Sequence, residues 1–274
     1  MTTASGHLRK LAVTLADTVE YALPVDDLLI PLNDCIGKPI KIEYDGAIHC
    51  VACGRKTNKS YNQGYCYPCL QSLPECDICI VKPEKCHYAE GTCRDNSWAD
   101  DHCMQDHYIY LANSSGLKVG ITRGTQIPTR WIDQGASQAM PIARVKNRLL
   151  SGLVEVAIKD HVSDRTDWRK MLKGSPEPVD LKQARDELKA AAGPALKGIE
   201  QQYQGDIEWL NQEEITEISY PVLEYPVKVS SLNLDKTPCI EATLMGIKGQ
   251  YLVTDQGVLN IRKFAGYQVT VTLP

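Results

Sequence analysis

The chain has 274 residues, of which 43% are hydrophobic and 23% charged, with a net charge of −4. That balance excludes a disordered, collagen-like or coiled-coil protein, and the length suffices for two or three compact units with their own cores. No apolar run approaches the roughly 18 residues that a membrane span needs, so no membrane partner is expected.

At the N-terminus, Asp17 and Glu20 interrupt the stretch that a signal peptide would keep apolar, which points to a cytoplasmic protein. Residues 1–49 read as a β-rich segment. In KPIKIEYDG, Ile40, Ile42 and Tyr44 alternate with Lys41 and Glu43, and Asp45-Gly46 is expected to turn the chain.

Cysteine then dominates, with nine of the eleven lying between Cys50 and Cys103. In a reducing compartment paired CxxC spacings signal metal more often than disulfides. Cys50 and Cys53 form one pair and Cys66 and Cys69 another, separated by twelve residues. Each CxxC turn offers two thiolates to a tetrahedral ion, and a hairpin between the pairs would bring them face to face around a structural Zn²⁺. Gly54 gives the first knuckle its backbone freedom. A second ion is suggested by Cys76, Cys79, Cys86, Cys93 and Cys103, with His87, His102 and His107 as substitutes. That is more ligands than one ion uses, and spacing does not choose among them. Residues 50–107 are therefore read as a zinc-binding module that metal loss would unfold.

HYIYLANSSGLKVGIT reads as a β-hairpin. A three-residue loop, Ser114-Ser115-Gly116, sets Leu111 opposite Val119 and Ile109 opposite Ile121 on one face. The other, expected to be open, carries Tyr108, Tyr110, Lys118, Gly120 and Thr122. On that face Lys118 would ease formation of a Tyr110 phenolate and Gly120 would leave room for a ligand backbone. A helix follows with Pro128 in its first turn and Arg130 on it, then a third strand in AMPIARVKNRL. Ser151 is expected to cap a further helix that carries Glu155 one turn in. Trp131 and Trp168 are read as core residues.

SPEP at 175–178 marks a linker, and residues 175–205 continue into two short helices with Asp180 as N-cap and Gly193-Pro194 as the break. Residues 206–274 return to short strands with Gly, Asp and Pro punctuation, the pattern of a small barrel or sandwich that N-terminal strands would complete. The expected fold class is α+β, with a zinc-ribbon-like module and a small α/β domain inserted between β-rich terminal segments.

Charge singles out the middle of the chain. Residues 1–107 hold 10 Lys and Arg against 15 Asp and Glu, residues 108–173 hold 11 against 5, and residues 174–274 hold 9 against 14. A local cationic excess of this kind attracts polyanions, which makes DNA or RNA the expected partner. The order YIY, KVG, helical Arg, helical Glu resembles the GIY-YIG nuclease superfamily across residues 108–174. The resemblance implies that Tyr110, Gly120, Arg130 and Glu155 match the family's tyrosine, glycine, phosphate-contacting arginine and Mg²⁺- or Mn²⁺-holding carboxylate. Lys118 stands where the family's second tyrosine would be, as in some branches, the hairpin is shorter, and the family's late Asn has no counterpart. The implied site has Tyr110, Lys118, Arg130 and Glu155 as catalytic residues, with Arg123, Arg148, Lys159 and His161 on nucleic-acid phosphates. GYCYPC, GTCRD, KVGITR and TRWIDQGA together resemble the prokaryotic domain of unknown function 2797 family over nearly the whole chain. A divalent-metal-dependent nuclease is the leading expectation. A nucleic-acid binder without turnover and a zinc-stabilised protein-interaction scaffold are the alternatives.

Overall fold

The computed structural model describes residues 2–211 and 214–274. In chain order the first strands are β1 (Thr2–His7), β2 (Ala12–Thr14), β3 (Glu20–Val25), β4 (Leu28–Pro31), β5 (Pro39–His49) and β6 (Lys56–Thr57). The cysteine-rich stretch contributes α1 (Tyr67–Ser72) and α2 (Asn96–His102). The middle follows with β7 (His107–Asn113), β8 (Leu117–Arg123), α3 (Thr129–Asp133), β9 (Gln138–Val145), α4 (Arg148–Lys159) and α5 (Trp168–Met171). Next come α6 (Leu181–Ala191), α7 (Gly193–Gln202), β10 (Ile207–Trp209) and β11 (Thr216–Glu217). The chain ends in β12 (Cys239–Lys248), β13 (Tyr251–Thr254), β14 (Gly257–Asn260) and β15 (Tyr267–Leu273). The protein is thus a mixed α+β molecule, and every ladder in its sheets is antiparallel.

The largest sheet has the order β1-β15-β5-β12-β13-β14, with β6 beside β5. Strands from both ends of the chain share it, and β5 separates β12 from β15. The alternation of Ile40 and Ile42 with Lys41 and Glu43 sends the two isoleucines into the core and leaves the charged pair partly exposed. Asp45-Gly46 does not turn the chain as expected. The strand runs on to His49, and Gly46, at φ 81, absorbs a bulge where the register against β15 shifts between Tyr267 and Val269.

The middle of the chain forms a second sheet, β10-β9-β7-β8, with β11 also on β9. The hairpin register is the expected one, with Ile109 opposite Ile121, Tyr110 opposite Gly120 and Leu111 opposite Val119, and Gly116 takes a φ of 134 in the loop. Ile109, Leu111 and Val119 share a core with Leu150, Val154 and Ile158 of α4 and Leu181 and Leu188 of α6. The other face is covered along β7, whereas Lys118, Gly120 and Thr122 of β8 line a cavity. Tyr110 and Ala112 belong to the main core, together with Trp131 and Ile132 of α3 and the large sheet. The sheet therefore lies between two cores, one on each face.

Local signals set the helix ends. Asp180 caps α6 by accepting from the N–H groups of Lys182 and Gln183, and α7 begins at Gly193. Asn147, rather than Ser151, caps α4, its Oδ1 accepting from Leu150 N–H at 2.9 Å. Ser151 instead donates its hydroxyl to the Arg148 carbonyl at 2.7 Å, so Glu155 stands about two turns in. Trp131 is buried, and Trp168 stacks on Tyr251 with ring centroids 5.6 Å apart.

Candidate functional site

Cys50 closes β5, and the CxxC turn behind it is formed by Gly54 donating to the Cys50 carbonyl at 2.9 Å with a φ of 70. Cys66 sits at the N-cap of α1 and Cys69 in its first turn. The four sulfurs lie within 4.8 Å of one another. Cys53 Sγ and Cys66 Sγ are 3.8 Å apart. A tetrahedron with Zn–S bonds of about 2.3 Å has an edge of about 3.8 Å, so the donor set fits a four-thiolate zinc ion. Burial opposes ionisation of Cys50, but N–H groups of Cys53, Cys66 and Ala52 aimed at its sulfur outweigh that and bring it down to about 6. Backbone donors thus hold the thiolate that a metal requires.

The second set of cysteines is divided. Cys79, Cys86, Cys93 and Cys103 line one small cavity, whereas Cys76 does not, its sulfur lying 3.8 Å from Asn62 Nδ2. Of the three histidines, His87 lines that cavity. His102 stacks on Trp98, and His107 is buried with Nδ1 on the Gln105 carbonyl at 2.7 Å, which burial pushes down to about 4.

A larger cavity of about 370 Å³ opens between β8, α3, α4 and the cysteine-rich segment. Six cationic side chains, Lys10, Lys118, Arg123, Arg130, Arg148 and Arg262, meet three carboxylates, Asp133, Glu155 and Asp164, on its walls. Lys118, Arg130 and Glu155 therefore face one space although they stand on a strand and two helices. Lys118 is 4% exposed, and burial together with the charge of Arg130 lowers its ammonium to about 8. Burial, reinforced by Asp164, raises the Glu155 carboxyl to about 7. Arg123 also lines the cavity. Arg148 is engaged as well, its guanidinium donating to the carbonyls of Cys79 and Ile80. Lys159 and His161 are exposed and do not line the cavity.

Tyr110 lies behind the cavity rather than in it. It is fully buried, its hydroxyl donates to Gln134 Oε1 at 2.9 Å, and its ring lies 6.0 Å from that of Trp131. Desolvation raises its pKa, and the cation that partly offsets this is Arg130 rather than Lys118. Gly120 lines the cavity and also makes room for the Tyr110 ring behind it. A Cβ there would come within 2.6 Å of Tyr110 Cζ and Oη.

Lys10, Asp133, Asp164 and Arg262 are site residues that the sequence did not reveal. Lys10 Nζ pairs with Asp133 Oδ2 at 2.9 Å, and Gln250 Nε2 donates to Asp133 Oδ1 at 2.8 Å, which ties the terminal sheet to α3. Lys10 and Arg262 come from opposite ends of the chain and carry no local motif. Lys10 follows β1 and Arg262 precedes β15, and the pairing of those two strands brings them here.

Among the described residues, no helix is long and apolar enough to cross a membrane. Neither the curated proteins nor the solved structures contain a match to the chain. A family model described as protein of unknown function (DUF2797) matches residues 37–269, a span that runs from the start of β5 into β15 and takes in the four-cysteine cluster and nearly all of the cavity, and the chain belongs to that family.

Proposed function

We propose that the protein binds a nucleic-acid phosphodiester in the cation-lined cavity and hydrolyses it with the help of a divalent ion. In this reading residues 108–174 form a GIY-YIG-like domain and residues 50–107 a zinc module that supports it. The observation that carries the reading is the convergence of Lys118, Arg130 and Glu155 on one cavity with a cationic excess.

Each residue has work suited to its surroundings. Arg130, with Arg123 and Arg262 on the same walls, would bind phosphate oxygens and stabilise the charge that builds on them. Lys118, with its ammonium lowered to about 8, exchanges a proton near neutral pH and would serve the attacking water or the leaving oxygen. Glu155 and Asp164 offer hard oxygen donors on the same walls, a donor type that suits Mg²⁺ or Mn²⁺. When bound there, such an ion supplies Lewis-acid polarisation of a phosphoryl oxygen. Tyr110 would act by positioning, through Arg130 and Gln134, which both line the cavity.

That last point favours a second reading, a nucleic-acid binder without turnover, because among the described residues no tyrosine lines the cavity. The test is incubation of labelled single-stranded, duplex and branched DNA and RNA with Mg²⁺ or Mn²⁺, with Glu155→Gln and Arg130→Ala in parallel. Metal-dependent products lost in both variants support hydrolysis. No product from any protein, with a salt-sensitive mobility shift weakened by Arg130→Ala, supports binding alone. Neither products nor a shift would overturn both readings.

A further inference from the structure

Five cysteines follow the first cluster, and the fold separates four of them from the fifth. Cys79 lies in the 3-10 turn Ile78–Ile80, Cys86 caps the 3-10 turn Pro83–Lys85, and Cys103 caps the C-terminus of α2. Cys93 lies two residues before Asp95, the N-cap of α2. These four thiols line one cavity of about 10 Å³, walled elsewhere by Pro74, Trp98 and Ala99 and by the polar residues Asp77, His87 and Arg94. Such a space admits an ion or a single water and no organic ligand.

We propose that Cys79, Cys86, Cys93 and Cys103 bind a second structural Zn²⁺. Four soft thiolates on one cavity are the donor set that selects zinc in a structural role, and the short turns that carry them would draw in around the ion. Asp77, Cys79 and His87 lie within 4.8 Å of one another, closer than the four thiols do. Asp77, however, already accepts the Cys79 N–H and pairs through Oδ2 with Arg94 Nε at 2.7 Å. His87 Nδ1 meets Thr92 Oγ1 at 2.8 Å, and its Nε2 faces Asp77 at 3.5 Å. The pair forms an outer layer that fixes the turn carrying Cys79.

The ion holds a wall of the larger cavity. Ile80, Val81 and Pro83 form that wall, in the turns between Cys79 and Cys86. Arg148 clamps the same segment to α4 through the carbonyls of Cys79 and Ile80, while its own N–H donates to the Cys103 carbonyl at 2.8 Å. This proposal is independent of whether the cavity cleaves, binds or does neither.

Zinc and iron are to be counted by plasma mass spectrometry on gel-filtered full-length protein. Two zinc ions per chain are expected, falling to one in Cys86→Ser and Cys93→Ser and staying at two in Cys76→Ser and His87→Ala. One zinc per wild-type chain, iron in place of the second zinc, or retention of two in both Cys86→Ser and Cys93→Ser would overturn the proposal. So would loss of one ion in Cys76→Ser or His87→Ala. If the cysteine variants do not fold, cobalt substitution of the wild type decides. Thiolate-to-cobalt charge-transfer absorbance saturating at two equivalents supports the second site, and saturation at one removes it.

Discussion

At the scale of single residues, Gly120 and Glu155 gain their meaning from what lies beside them. A Cβ at position 120 would meet the buried Tyr110 ring, whose surroundings leave it no space to retreat. Gly120→Ala is therefore expected to destabilise the protein by about 1–3 kcal/mol, read as a lower urea midpoint. An unchanged midpoint would mean that the ring yields freely. Glu155 makes a pH-dependent prediction. Its carboxyl is raised to about 7 in the folded protein, above an unfolded value of about 4.3. Between those values the native state binds more protons than the unfolded chain, so stability from this group falls as pH rises from about 4 to 7 and stays low above. Glu155→Gln, which cannot ionise, should match the wild type near pH 4 and exceed it near pH 8. The gain should be on the order of 2 kcal/mol, smaller than the full shift implies because solvent at the cavity mouth screens the charge. A stability difference that does not change with pH would refute that account.

At the scale of elements, two contacts decide whether the cysteine-rich segment holds its place. The first is metal. Residues 50–106 form short turns and helices whose few buried side chains are mostly cysteines. Chelation at neutral pH should therefore abolish protection from hydrogen exchange across these residues while β7 and β9 stay protected. Uniform protection after metal removal would show that the segment folds without zinc. The second contact is the close approach of α4 to the turn at Pro83, where a Cβ on Gly152 would come within 2.4 Å of the Glu84 backbone nitrogen. Backbone cannot move aside as a flexible side chain can. Gly152→Val should cost about 3 kcal/mol, measured by urea denaturation, and should loosen the cavity wall as well.

At the scale of the whole molecule, the large sheet makes the two ends of the chain interdependent. Because β5 lies between β12 and β15, removing it leaves both of those strands with an unsatisfied edge. An isolated fragment of residues 206–274 is expected to lack strand signal in far-UV circular dichroism and to unfold without a cooperative transition. A cooperative transition in that fragment would show that the C-terminal strands stand alone. The same sheet delivers Lys10 and Arg262 to a cavity otherwise built from the middle of the chain.

What the sequence determined by itself was local. The CxxC spacings brought four sulfurs together, the hairpin register followed from its loop and alternation, and Asp180 and Gly193 set helix ends. These features depend on backbone geometry within about twenty residues, which spacing and side-chain type encode directly. Only the tertiary structure decided that the Tyr110 face is covered along β7, which turns a presumed reactive phenol into a core residue and Gly120 into its clearance. It also decided that Cys76 stands apart from the other four late cysteines. Burial sets the cost of charge and long-range strand pairing sets proximity, and both depend on residues far away in the chain.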